Sequence, residues 1–199
     1  MAKSVDSRAG YIAIATHSFA AHGFHGVSLA RLAREAGVTK QALLHFFGTK
    51  ERLYGDVLTA LAARLCKDID AAARPDPSEH LLAYFQNFRA ASLSEPDDVR
   101  LVVRALLDSD PAARKWPLKP YLDTIIALAR RTTGGRDKSQ ADILAWLSQI
   151  IGMVQYVAIS APATAGMYGG DVAAGVADQF EQFVEDVVSG FTTSAGASG

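Results

Sequence analysis

The chain has 199 residues, of which 49% are hydrophobic and 21% charged, a composition that excludes a disordered polymer and suits one large or two small packed domains. No apolar run follows Met1-Ala2-Lys3-Ser4, and the most apolar stretch, 150–159, is short and broken by Gln155, so secretion and membrane spanning are not expected and a cytoplasmic location is. The net charge of −1 conceals an asymmetry: up to Leu53 there are seven Lys/Arg against three Asp/Glu, a net of +4, which leaves −5 for the rest.

Residues 1–7 lack apolar periodicity and read as a frayed arm; Lys3 and Arg8 are its cations with any reach toward phosphate. From Arg8 to His22, Ile12, Ala15, Phe19 and Ala20 recur at helical spacing until Gly23 stops the run. His17, His22 and His25 straddle that helix end with no clustered acid or Cys, so capping or solvated histidines are favoured over a metal site, and no metal or cofactor is expected. Ser28 caps a second helix that buries Leu29, Leu32, Ala33 and Ala36. Gly37 then supplies a positive φ, Val38 plugs the corner, and Thr39 caps a third helix to about Phe46. In it Leu43, Phe46 and Phe47 face inward, whereas Lys40, Gln41, Leu44 and His45 face out, a set of groups that suits a DNA groove.

Thr49 caps a fourth helix through Leu53, Val57, Leu61, Leu65 and Ile69, which Pro75 ends; the single Cys66 on it reads as a small buried residue that cannot form an internal disulfide. Asp76, Pro77 and Glu79 open a fifth helix with a stripe of Leu81, Leu82, Phe85 and Phe88. A sixth carries Val99, Val102, Val103, Leu106 and Leu107, and a seventh runs from Tyr121 to Thr132. Asp137 with Gln140 boxes the start of an eighth helix reaching about Ser160, residues 161–170 read as a Pro/Gly-rich loop, and Asp171 caps a ninth ending near Phe191. The eighth is apolar around much of its circumference, and such a helix buries more than one face. A fully buried central helix explains this for the eighth but less readily for the ninth, so a homodimer seam of Ile143, Leu147, Ile150, Val154, Val176, Phe180, Phe183 and Val187 is expected. The fold class is therefore all-α with about nine helices: a helix-turn-helix domain over 1–53 (motif 28–47), a helical regulatory and dimerisation domain over 54–192, and a disordered tail over 193–199.

The ordered set Ala33, Ala36-Gly37-Val38, Leu43, Phe47, Lys50-Glu51 and Leu53, extended upstream through Ile12, Ala15, Phe19 and His22-Gly23-Phe24, resembles the tetracycline-repressor (TetR) family of bacterial transcription regulators. The likeness covers the first quarter of the chain and departs at Leu44, where the family often has Tyr, so a phosphate contact from a Tyr hydroxyl is missing. The resemblance implies a homodimer that binds an inverted-repeat operator in double-stranded DNA and is released by a small apolar or amphipathic effector. Ser28, Thr39 and Lys50 are the expected phosphate contacts, Gln41 and Lys40 the expected base contacts, with Leu44 offering apolar contact and His45 a donor. The implied effector pocket has Phe85, Phe88, Val103, Trp116, Tyr121, Met153 and Tyr156 as candidate lining and Arg100 or Arg104 as an anion partner. A regulator without a ligand is one alternative. A small helical enzyme is the other, and the chain has no HExxH, GxSxG or phosphate-cradling glycine loop to favour it.

Overall fold

The computed structural model describes residues 8–111 and 117–193, which form nine helices with no strand among them. They are α1 (Arg8–Gly26), α2 (Leu29–Glu35), α3 (Lys40–Phe47), α4 (Lys50–Ala71), α5 (Pro77–Ser94), α6 (Asp97–Leu107), α7 (Lys119–Arg130), α8 (Gln140–Tyr168) and α9 (Gly170–Thr193). The expected arm over 1–7, Trp116 and the tail beyond Thr193 lie outside the described residues. The chain divides into two compact units, one of Met1–Arg64 with Asp97–Lys119 and the other of Leu65–Pro96 with Pro120–Gly199. The sequence reading put the boundary after Leu53 and left α6 in the second domain. In the structure the first unit runs eleven residues further, to Arg64, and takes in α6.

The first unit is built on aromatic packing between α1 and α4. Phe19 and Tyr54 are fully buried and meet edge to face at 4.9 Å between ring centroids, and Phe24 lies 5.3 Å from Tyr54. Burying each such ring contributes roughly 1.5–3 kcal/mol relative to exposure, and edge-to-face geometry adds about 0.5–1.5. Burial pushes the Tyr54 hydroxyl up to about 12. Gly23 breaks α1 as its position in the sequence suggests: its φ of 70° and ψ of 175° interrupt the helix, which resumes briefly to Gly26.

The second unit closes around Tyr84, Phe85, Tyr121, Ile125, Trp146 and Phe191. Trp146 stacks on Phe191 at 4.0 Å, and its edge meets Phe85 at 5.6 Å. The buried Tyr84 hydroxyl donates to that of Tyr121 at 2.9 Å, and burial raises both phenols, Tyr121 to about 12. The turn before α8 has glycine because a Cβ at Gly134 would fall 1.9 Å from the Phe191 carbonyl, whose neighbour Thr192 accepts from the Gly134 N–H at 2.8 Å.

Three local expectations are corrected. Helix α8 opens with a capping box of Ser139 and Asp142, not Asp137 and Gln140, because Ser139 has the extended backbone of a cap and its hydroxyl accepts from Asp142 N–H at 3.2 Å. The expected loop over 161–170 is helical to Tyr168: Pro162 stands on the exposed side within α8, and the break comes at Gly169, whose φ is 94°. Thr193, placed in the tail by its sequence, is the last residue of α9.

Candidate nucleic-acid interface

The reader is held by two caps. Ser28 Oγ accepts from the Arg31 N–H at 3.2 Å and starts α2; Thr39 Oγ1 accepts from the Ala42 N–H at 3.2 Å and starts α3. Between them Gly37 has a φ of 69°, the left-handed conformation that ends α2 and turns the chain into α3. Leu32, Ala33, Leu43 and Phe47 are buried, and they fix the two helices against the rest of the unit. With that anchor, the outer face of α3 is determined by helical geometry.

On that face Lys40, Gln41 and His45 are exposed, and none makes a hydrogen bond or ion pair with another described residue. Leu44 is half-buried beside them. A cation, a bidentate amide and an imidazole therefore stand unspent on one helix face, with the first-turn N–H groups of α3 and its positive dipole end next to them. Two further cations, Arg34 at the end of α2 and Arg52 in the first turn of α4, are also exposed without a described partner; they escaped the sequence reading because neither belongs to the motif that drew attention to the stretch. Phe46, expected inward, is 45% exposed: it lies at the flank of α3, its ring 5.2 Å from that of Tyr11.

Lys50, expected at a phosphate, is spent inside the unit. Its Nζ donates to the Phe24 carbonyl at 3.0 Å and to the Val27 carbonyl at 3.2 Å, and it stands 4.3 Å over the Phe24 ring. These contacts use two of the three ammonium hydrogens and tie the start of α4 to the corner where the chain passes from α1 to α2. Behind α2, Glu35 accepts from the Ser18 hydroxyl at 2.6 Å and from Arg31 Nε at 2.8 Å. These two hydrogen bonds hold its carboxyl below the usual glutamate range. His17, His22 and His25 are likewise engaged with side chains: His22 Nε2 meets Arg31 Nη2 at 2.7 Å, His17 Nδ1 meets Asp97 at 2.7 Å, and His25 Nε2 meets Asp110 at 3.3 Å.

The candidate effector residues do not share one unit. Phe85, Phe88, Tyr121, Met153 and Tyr156 belong to the second, whereas Arg100, Val103 and Arg104 belong to the first. Phe85 and Tyr121 are core, and Tyr156 is 69% exposed on the surface of α8. Arg100 pairs with Asp97 at 3.3 Å, and Arg104 donates to the Ala20 and Ala21 carbonyls, so neither offers an unspent guanidinium to an anion. Of the expected dimer residues, Ile143, Leu147, Ile150 and Val154 are corrected to the interior of the chain's own second unit, where α8 is packed on α9 and α5. Phe180 is also largely buried and Val187 half-buried, whereas Val176 and Phe183 are exposed.

Comparison with known proteins assigns this arrangement. Residues 12–57 match the sequence model of the family described as bacterial regulatory proteins, tetR family. Over 145 residues the chain is 28% identical to the HTH-type transcriptional repressor AcnR of Corynebacterium efficiens, which takes in 71% of this chain and 74% of the relative. The fold is that of the transcriptional regulator FadR from Bacillus subtilis, solved with stearoyl-CoA (TM-score 0.67, 14% identity, 94% of this chain and 98% of that one). It is also that of a TetR variant from Acinetobacter baumannii solved with minocycline (TM-score 0.60, 18% identity, 94% and 99%). The capped α2 and α3 and the exposed polar face of α3 agree with these matches: over residues 12–57 the chain is similar to the tetR family of bacterial regulatory proteins, and its described helices have the fold of regulators of that kind.

Proposed function

We propose that the protein is a cytoplasmic homodimeric repressor that reads an inverted repeat in successive major grooves and leaves it when a small molecule binds the second unit. The observation that carries the reading is the outer face of α3, where Lys40, Gln41 and His45 have no hydrogen-bond or ion-pair partner among the described residues while Leu43 and Phe47 lock the opposite face. Gln41 makes paired hydrogen bonds to adenine, Lys40 reaches guanine or a phosphate, and Leu44 covers a thymine methyl. The N-terminal end of α3 at Thr39 takes a phosphate, and Arg34 and Arg52 add cations at the groove edges.

The dimer reading rests on apolar side chains that this chain does not cover itself: Tyr156, Ile159, Val172, Val176 and Phe183 are all exposed on α8 and α9. An exposed apolar surface of this extent on two adjacent helices marks an association site. Small-molecule release is supported by the two fold relatives solved with stearoyl-CoA and minocycline and by the aromatic supply of the second unit. The test is selection of binding sites from random duplex DNA, followed by affinity measurements over single-base variants. Gln41→Ala is expected to cost roughly 1–3 kcal/mol at particular base pairs and little at others. A uniform loss across all variants would reverse the role assigned to Gln41, and failure of the wild type to enrich any sequence would remove the DNA-reading proposal.

A further inference from the structure

The end of α1 is a row of backbone carbonyls that a helix terminus leaves without intrahelical partners, at the negative end of its dipole. In this chain two cations from later helices take three of them, those of Ala20, Ala21 and Phe24, together with the carbonyl of Val27 just beyond the helix. Lys50, at the start of α4, holds Phe24 and Val27; Arg104, from the last turn of α6, donates from Nε to the Ala20 carbonyl and from Nη2 to the Ala21 carbonyl, both at 2.9 Å. Gly23 is favoured by its φ of 70°; a Cβ there would meet Arg104 Nη1 at 3.4 Å, an ordinary contact. The ties between α1 and α6 run in the same order along both helices, from His17 with Asp97 to Ala20 and Ala21 with Arg104, and His25 continues the order with Asp110 just past the end of α6. The two helices therefore lie side by side and point the same way. Arg104 is the tie next to the break from which the chain turns toward α2 and α3.

We infer that Arg104 is a positioning residue of the reader: its guanidinium sets the direction in which α2 and α3 leave α1, and thereby the half-site spacing that the protein accepts. The inference rests on the DNA-reading proposal above. Arg suits the task better than Lys, since its planar fork addresses two adjacent carbonyls in fixed geometry and carries its charge at every physiological pH. Arg104 is not assigned a contact with DNA, so its effect is on geometry and not on the number of phosphates neutralised.

The experiment uses the full chain and a set of duplexes in which the selected half-site is repeated in inverted orientation with the spacer varied by single base pairs. Spacing is a geometric property of the dimer, so the wild type is expected to prefer one spacer over its neighbours by about tenfold. Arg104→Met should flatten that preference to within about threefold while leaving the salt dependence of binding to the best site unchanged. Arg104→Lys, which keeps one donor group, should fall between them and serves if the Met variant does not fold. Val57→Ala, a cavity in the same unit, is the control: it lowers thermal stability and keeps the sharp optimum. A sharp wild-type optimum retained in both Arg104 variants, with only stability or overall affinity reduced, would overturn the inference and leave DNA reading intact. A wild type indifferent to spacing overturns it as well, and a wild type that binds no duplex refutes DNA reading and this inference together.

Discussion

Replacing Lys50 with Met separates two roles that the motif alone cannot distinguish. In the structure the ammonium makes charge-assisted hydrogen bonds of 3.0 and 3.2 Å to two carbonyls and sits 4.3 Å over the Phe24 ring. A hydrogen bond involving a charged group contributes about 1.5–3 kcal/mol net, and a partly exposed cation over a ring about 0.5–1. Lys50 is only half-buried, so water can reach the carbonyls it abandons, and the low end of these ranges applies. The two hydrogen bonds share one ammonium and do not add fully, which brings the expected loss to about 2–3 kcal/mol. For a chain of this size that lowers the melting temperature by about 4–12 °C, readable by calorimetry or circular dichroism. The second assay is the dependence of DNA affinity on salt. A lysine neutralising a phosphate contributes about 0.9 to the slope of log K against log salt, and Lys50→Met is expected to leave that slope unchanged. A slope reduced by about 0.9 per protomer, or about 1.8 for the dimer, with an unaltered melting temperature would refute the internal role and restore the phosphate contact.

The other expected outcomes concern the remaining polar and apolar features. Tyr84→Phe or Tyr121→Phe alone leaves one buried hydroxyl without its partner and should cost about 1–3 kcal/mol, whereas the double variant should lie closer to wild type than the two losses added together; additive losses in a denaturation cycle would contradict the pairing. Phe183→Glu places a charge on the exposed apolar face of α9, where the side chain is 56% exposed, and should yield monomers by light scattering without loss of helix content; an unmodified protein that is itself monomeric at micromolar concentration would dismiss the dimer. Glu35 has a depressed folded pKa, so its stabilisation is fully present above the ordinary carboxylate range and is lost as pH falls through the folded value. The melting-temperature gap between wild type and Glu35→Gln should accordingly be widest near neutral pH and close in acid; a gap that widens in acid would contradict the Ser18 and Arg31 hydrogen bonds.

What the sequence made legible was chiefly local. Ser28, Thr39 and Asp76 cap helices in the structure because a short side chain before an apolar period has one favourable use, and Gly37 ends α2 because its φ is positive. The internal bonds of Lys50 were not legible for a reason of the opposite kind: the carbonyls it holds are 23 and 26 residues away, and nothing in a linear pattern says where they sit. Helix α8 shows a third limit. Apolar positions around much of its circumference do not distinguish burial within one chain from burial against another; the structure divides them, with Ile143 and Leu147 in the core and Tyr156 and Ile159 uncovered nearer the other end. The Pro/Gly content of 161–170 suggests a loop, yet on the exposed side of a long helix the one hydrogen bond that Pro162 removes does not outweigh the bonds on either side.

The first unit is assembled from two stretches of chain, up to Arg64 and from Asp97 to Lys119, and this limits how a recognition head can be exchanged between regulators. A crossover after Arg64 would carry α1 to α3 into a hybrid without the α6 that evolved beside them. His17 would lose Asp97, and the carbonyls of Ala20 and Ala21 would lose Arg104. Hybrids that transplant both stretches should keep the donor's operator preference, and those made at a single junction should keep it only when the recipient's sixth helix supplies a cation at the same height. Recombination within such a lineage is thus constrained by a pair of distant exchange points, and new specificities are more accessible through substitutions on the outer face of α3, which leave that joint untouched.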